Sequence, residues 1–203
     1  MTTAVPAPPA PATDGISTSP GSRRMRNEVE PLLMPEAEKA RNVVELLHRS
    51  VERIPDKEAL RWKLPKDGGW VSKSYAEFWD WVARTSLGLE GLGIKDGDAV
   101  CIMSRTRPEW LVADIASWAL GAVSCPIYPQ TEAVQTAFIL NNVGAVAVFV
   151  ENAQLAAKIE SIRSQVPSLR HVITIDTSGK FPADTLNLEE LASREPDDAQ
   201  RKA

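Results

Sequence analysis

Thr177-Ser178-Gly179-Lys180 is the stretch whose residue types come nearest to phosphate chemistry, since Ser/Thr/Gly/Lys loops after strands cradle phosphate oxygens. A phosphate loop of that kind needs two glycines at fixed spacing before the lysine and a helix directly after it. Here one glycine is present and Phe181-Pro182 follows, so the stretch reads as a polar turn. Cys101 and Cys125 carry thiols, but both fall inside apolar runs and read as small core residues. A metal site needs more ligands, and His48 and His171 stand at no ligand spacing from either cysteine. No GxGxxG, GxSxG or HExxH motif occurs, and neither histidine is placed with a serine or cysteine nucleophile. Glu109 is spaced to cap a helix rather than to act as a base. Asp114, between Trp110 and Trp118, is expected on the solvated side of its helix. Read from the residues, no catalytic, cofactor-binding or metal-binding side chain is assigned.

The element that organises the chain runs from Lys95 to Pro129. Lys95-Asp96-Gly97-Asp98 is turn chemistry, and Ala99 to Met103 is an apolar run expected for a strand covered on both faces. Thr106 and Glu109 are spaced as a capping box, with Pro108 in the first turn. Leu111, Ile115, Trp118 and Ala119 then make a helical stripe, Gly121 stops the helix, and Val123 to Tyr128 supplies a second buried strand. This is one βαβ unit.

The remaining chain repeats that plan. Residues 1–36 hold 7 of the 15 prolines and few bulky apolar groups, a composition expected to be disordered. Arg23, Arg24 and Arg26 inside it read as solvated charges. Glu36 to Ile54 is expected as a helix with Val43, Leu47, Val51 and Ile54 on its inner face and His48 at the edge. Leu60 to Leu64 and Trp70 to Lys73 read as a hairpin. Ser74 and Glu77 open a second helix whose Tyr75, Phe78, Trp79, Val82 and Leu89 read as core rather than as a stacking platform. Thr131 is expected to cap a helix to Asn141, with Val134, Ala137 and Phe138 inward. Ala145 to Val150 is a third apolar strand, Glu151 to Val166 a helix, and His171 to Ile175 a fourth strand. Leu186 to Ala192 is one short helical turn, and 193–203 is a polar end. Strands and helices alternating at these lengths predict an α/β fold with a mainly parallel sheet flanked by helices.

Bulk properties narrow the function classes. The chain has 203 residues, 43% hydrophobic and 25% charged, the proportions of a globular protein. A net charge of −4 gives no reason to expect a nucleic-acid partner. No apolar run reaches the length of a transmembrane segment, and the start has no apolar signal region. The cysteine usage reads as reduced and cytoplasmic, a location compatible with peripheral contact with a membrane.

Three stretches carry a resemblance. GDAVCIMSRTRPEW, GAVSCPIYPQTEAVQTAFILNN and GAVAVFVEN, in that order, resemble the start of an adenylate-forming acyl-CoA synthetase. SYAEFWDWV and the PIYP turn resemble the long-chain fatty-acid–CoA ligases within that superfamily. The resemblance runs from about Ala40 to Asp176 and makes 37–192 a partial, N-terminal portion of the large domain. It implies ATP, Mg²⁺, coenzyme A and a fatty acid for the complete enzyme, which forms an acyl-adenylate, releases pyrophosphate and passes the acyl group to the thiol. It places the phosphate loop and the lysine after the segment seen here, so no catalytic residue is carried over. What it carries over is structural: Gly97 and Asp98 at the turn, Glu109 and Trp110 at the helix start, and Gly121, Tyr128 and Pro129 around the second strand. Gln130 departs from the small residue common in long-chain members. The chain alone is expected to be inactive and poorly soluble. The alternative is a non-catalytic interaction or binding module complemented by a separately encoded catalytic half.

Overall fold

Ala99–Met103 (β3) lies at the centre of the fold because all five of its residues, AVCIM, are apolar and all five are buried. In the computed structural model, which describes residues 40–64 and 68–193, β3 is flanked on both sides. On one side it pairs in parallel with Val123–Pro126 (β4), and on the other with Ala145–Val150 (β5). His171–Thr174 (β6) and Thr185–Asn187 (β7) extend the sheet in parallel, giving the order β4-β3-β5-β6-β7. A separate antiparallel hairpin joins Glu58–Lys63 (β1) to Trp70–Ser74 (β2).

Successive side chains of a strand point to opposite faces, so two cores form. Val100, Ile102, Ala147, Phe149 and Ile173 enter one, beneath Val43–Arg53 (α1), Tyr75–Gly91 (α2) and Pro108–Ala119 (α3). Cys101, Met103, Val148, Val150 and Val172 enter the other, beneath Ala133–Val143 (α4) and Ala153–Ile162 (α5). A short helix, Leu188–Leu191 (α6), seals Leu188 into the first core. Among the described residues, no helix is long and apolar enough to cross a membrane.

Several expectations match. The Ser74–Glu77 capping box is present in both directions, with Ser74 N donating to Glu77 Oε2 at 2.7 Å and Glu77 N to Ser74 Oγ at 3.2 Å. Leu155, Ile159, Ile162 and Val166 are buried together, as their spacing predicts. Phe78 and Val82 are core, and Trp79 packs on His48 with ring centroids 5.2 Å apart. Cys101 is buried and opposite Cys125 across the β3–β4 pair, both as free thiols. Burial, and then the neighbouring Cys125, push the Cys101 thiol well up from its ordinary value, which keeps it unreactive.

Other expectations are corrected. α1 begins at Val43 behind an Asn42 cap that accepts from Glu45 N at 2.8 Å, and this phase turns Val44 and Leu47 inward while Val43 and Ile54 are exposed. The part of that helix expected before Ala40, like the 1–36 tail and most of the 193–203 end, lies outside the described residues. Thr106 does not cap α3; Arg107 occupies the cap position without a side-chain bond, and Glu109 is drawn to Arg107 instead. On α3 the buried run is Val112 to Ser117, and Trp118 and Ala119 face outward. β4 is an edge strand rather than a buried one, with Val123 exposed. Thr131 does not cap α4, which starts after Glu132 and turns Thr136, Ala137 and Leu140 inward, leaving Val134 and Phe138 outside. β7 was hidden in the weak pattern after Asp176.

Asp114 is also corrected: it is 6% exposed and accepts a hydrogen bond from Ser124 Oγ on β4. Burial raises its pKa, and the Ser124 bond offsets that only partly. A carboxyl with a raised folded pKa holds its proton more tightly when folded, so its contribution is full below the ordinary 3.8 and is lost as pH rises through the folded value. Asp114→Asn is therefore expected to melt at least as high as the parent at neutral pH and to lose that advantage below 3.8, in thermal scans across pH. A variant that melts below the parent at neutral pH would contradict this.

Candidate functional site

In open α/β sheets, ligands sit beyond the carboxyl ends of the strands, where the strand order reverses. Here the chain leaves β3 for β4 on one side and returns to β5 on the other, so the reversal falls between β3 and β5. The residues at that rim are Ser104 to Arg107 after β3, Glu151 after β5 and Asp176 after β6. Backbone bonds hold the rim together: Glu151 N donates to Met103 O at 3.1 Å, and Asp176 N to Glu151 O at 3.0 Å.

Charges lock this frame. Glu151, only 3% exposed, accepts three bonds from Arg105: from its backbone N at 2.8 Å, Nε at 2.9 Å and Nη2 at 2.6 Å. Burial alone would raise the Glu151 pKa, but the Arg105 bonds and charge together outweigh it and hold the carboxyl below its ordinary value. The Arg105 side chain is itself 76% exposed, so the pair is buried at its acidic end and hydrated at its basic end. Arg107 grips Glu109 with two bonds, of 2.7 and 3.1 Å, and Asp176 with one of 2.8 Å. Burial opposes the Arg107 charge, yet its bonds to Glu109 and Asp176 prevail and raise its pKa. Beside this, Lys158 on α5 donates to Pro129 O and Thr131 O, each at 3.0 Å, and pins the loop that follows β4.

Hollows of about 560, 460 and 320 Å³ meet at Arg105, which lines all three. Trp110, Tyr128 and Pro129 line the largest. Another cavity of about 430 Å³ lies between α1, α2 and α3, lined by His48, Trp79 and Trp118, away from the rim. His171 is also away from it: burial, and then Arg170, lower its pKa, and its Nε2 donates to Leu92 O at 3.2 Å.

The chemistry available at the rim follows from these partners. Glu109, Glu151 and Asp176 are each bonded to an arginine, so these carboxylates are engaged rather than free to act as bases. Among the described residues, no group of three or more His, Cys, Asp and Glu side chains is placed to hold a metal ion. With these carboxylates held by arginines and no metal-holding group among the described residues, the rim does not fit a Mg²⁺-bound triphosphate. What the rim does is brace the ends of β3, β5 and β6 in one geometry.

The residues singled out for the family resemblance fall at the two ends of the sheet. At the amino end, Gly97 N donates to Gly121 O at 3.1 Å and Val123 N to Asp98 O at 2.8 Å, joining the turn before β3 to the turn before β4. Gly121 has φ of 72°, and a Cβ there would overlap the Asp96 carboxylate. The Asp98 carboxylate accepts from Lys95 N at 3.1 Å and from Arg170 at 3.4 Å. Glu109, Trp110, Tyr128 and Pro129 stand at the carboxyl rim. Thr177 to Lys180 is an irregular bend after β6. Sequence reasoning missed Arg105, Arg107, Glu151, Asp176 and Lys158; the visible signal was two arginines directly after the central buried strand.

Residues 47–203 match the family model described as AMP-binding enzyme. The chain belongs to this AMP-binding family. It is 38% identical over 130 residues to the long-chain-fatty-acid–CoA ligase FadD15 of Mycobacterium tuberculosis, covering 64% of this chain and 22% of that protein. It is 29% identical over 175 residues to the long-chain-fatty-acid–CoA ligase heimdall of Drosophila melanogaster, covering 85% of this chain and 25% of that one. The uncharacterized protein Rv1549 of Mycobacterium tuberculosis is 27% identical over 159 residues, 78% of this chain and 82% of its own length. Among solved structures, the acetoacetyl-CoA synthetase of Streptomyces lividans superposes with a TM-score of 0.68 at 24% identity, over 76% of this chain and 25% of that one. The anthranilate CoA ligase AuaEII does so with a TM-score of 0.65 at 22% identity, over 76% and 27%. The sheet and its helices are thus the fold found in AMP-binding enzymes, and the chain spans about a quarter of the length of these ligases.

Proposed function

We propose that the chain supplies the N-terminal scaffold of a long-chain fatty-acid–CoA ligase, with residues 37–192 as part of its large domain. The complete enzyme would join a fatty acid to coenzyme A through an acyl-adenylate, using ATP and Mg²⁺ in the cytoplasm. The observation that carries this reading is the 38% identity to FadD15 over 130 residues. In it, Gly97, Asp98, Glu109, Trp110, Gly121, Tyr128 and Pro129 have structural work only: they set the turns and the rim, and they touch no reacting atom. The rim's neutralised arginines and carboxylates agree with that division of labour, since they position backbone without offering a nucleophile or a base.

The test is acyl-CoA formation. The purified 203-residue chain is expected to make no thioester from ATP, coenzyme A and a long-chain fatty acid. Co-expressed with the portion of FadD15 that follows the shared 130 residues, it is expected to support that reaction. Activity confined to short or aromatic acids would overturn the long-chain assignment, and turnover by the chain alone would overturn its role as scaffold.

A second reading is a non-catalytic module that pairs with a separately encoded catalytic half. The shared segment fills 82% of Rv1549, so a protein of about this size carries the same sequence pattern. A neighbouring reading frame that begins with the phosphate loop would favour it.

A further inference from the structure

The chain has two cysteines, and the fold sets them opposite each other. Cys101 is the middle residue of β3, and Cys125 is its partner in the parallel β3–β4 register. Paired strands lie about 4.8 Å apart, inside the roughly 4.4–6.8 Å between Cα atoms that a disulfide spans. Both side chains turn to the same face of the sheet, where Cys101 is buried in the second core and Cys125 packs against it. The thiols are near enough for Cys125 to help hold Cys101 protonated. They are not equivalent. Cys101 has no exposed surface, whereas Cys125 is half-buried on β4, an edge strand. An oxidant from solvent therefore meets Cys125 first, with Cys101 directly beside it. An accessible thiol next to a second one that can resolve it is the arrangement that favours reversible oxidation.

We propose that Cys101 and Cys125 are an oxidative modification site, closed to a β3–β4 disulfide by hydrogen peroxide and reopened by a dithiol. The Cys125 thiolate attacks one peroxide oxygen and the O–O bond breaks. The departing hydroxide takes up a proton and leaves as water, and Cys125 becomes a sulfenic acid. Cys101 Sγ then attacks the Cys125 sulfur, the S–O bond breaks, and the Cys101 proton leaves with that oxygen as a second water. The two thiols together lose two electrons, and the peroxide gains them. A dithiol reverses the change by two exchange steps and itself becomes a disulfide. In a reducing compartment such a bond is transient, which is the redox-sensing kind. It would fix the edge strand to the central strand directly before Ile127, Tyr128 and Pro129, which line the largest hollow of the rim. The inference stands apart from the ligase reading, since it needs only the β3–β4 pair.

The test treats the purified 203-residue chain with hydrogen peroxide under native conditions, blocks the remaining thiols with N-ethylmaleimide in urea, and maps the peptides by mass. The parent is expected to lose both free thiols, to gain no oxygen, and to yield peptides joined through Cys101 and Cys125 within one chain. Dithiothreitol is expected to return both thiols. In Cys125→Ser, Cys101 is expected to lose its thiol at least about tenfold more slowly than in the parent, because burial keeps it from solvent. In Cys101→Ala, Cys125 is expected to stop at sulfenic acid, labelled by dimedone, or to pass on to sulfinic acid. Circular dichroism matching the parent shows that a variant is folded, and if the buried Cys101→Ala change fails that check, the parent and Cys125→Ser decide. A parent that keeps both thiols while glutathione in the same tube is oxidised would overturn the proposal. So would Cys125 sulfinic acid without a cross-link, a disulfide between two chains, or undiminished oxidation of Cys101 in Cys125→Ser.

Discussion

Replacing Glu151 with alanine is expected to lower the stability of the chain by about 2–3 kcal/mol, because a buried carboxylate and its three hydrogen bonds are removed together. The Arg105 guanidinium, largely in water already, rehydrates at small cost, which keeps the loss below that of a fully buried pair. The backbone N–H of Arg105 does not have that escape, since it loses its acceptor in a part-buried site. Glu151→Gln keeps an acceptor for that N–H and should cost less than the alanine variant. The same pair predicts an acid dependence of opposite sign to Asp114. A carboxyl whose folded pKa is lowered contributes above the ordinary 4.5 and loses that contribution as pH falls through the folded value. Urea titrations of parent and Glu151→Ala should therefore diverge at neutral pH and converge in acid. Equal midpoints at neutral pH would show that the rim is not a brace.

Phe149→Ala should cost more, about 3–5 kcal/mol, the range for deleting a fully buried aromatic ring. Phe149 has no exposed surface and lies on β5, opposite Ile102 on β3 and Ile173 on β6. It packs into the core shared with α2 and α3, where Val82, Leu89 and Val112 are equally inaccessible. A loss of that size is a large share of the 5–15 kcal/mol that stabilises an ordinary domain, so the variant should approach unfolding near body temperature. The more conservative Phe149→Leu should lose about 1–1.5 kcal/mol, with the denaturant slope unchanged. A Phe149→Ala midpoint within about 1 kcal/mol of the parent would mean that β5 is not the packed centre of the sheet.

The parts of the fold legible from sequence are those where local pattern and tertiary packing agree. β3 and β5 are unbroken apolar runs, and a strand buried on both faces leaves no other reading. α5 has Leu155, Ile159 and Ile162 on one side and polar residues on the other, so its phase is unambiguous. On α4 the polar residues Gln135, Thr136, Asn141 and Asn142 do not gather on one side and Thr136 is buried, so the pattern does not set the phase, and Val134 and Phe138, expected inward, lie outside. Thr106 and Glu109 have the spacing of a capping box, but the charge of Arg107 captures Glu109 first. Asp114 meets Ser124 only because β4 returns beside β3, a contact that helical periodicity does not encode.

The candidate site was the least legible part for the same reason. Arg105 and Glu151 are 46 residues apart, and Arg107 and Asp176 are 69 apart. Each pair forms only when parallel strands bring their carboxyl ends to one rim. The resemblance located the structural residues at the turns, where backbone geometry restricts the choice of side chain, as at Gly121 with its positive φ. It was silent on the braces that those turns position.

The most direct test of the central claim, that this chain works as part of a long-chain acyl-CoA ligase, is immunodepletion from its native cells. An antibody raised against residues 40–176 is used to clear a native extract, and ATP-dependent formation of long-chain acyl-CoA is measured in the cleared extract and in the eluate. Activity that leaves the extract and reappears in the eluate is the predicted result. Quantitative removal of the antigen with no such activity in the eluate would contradict it.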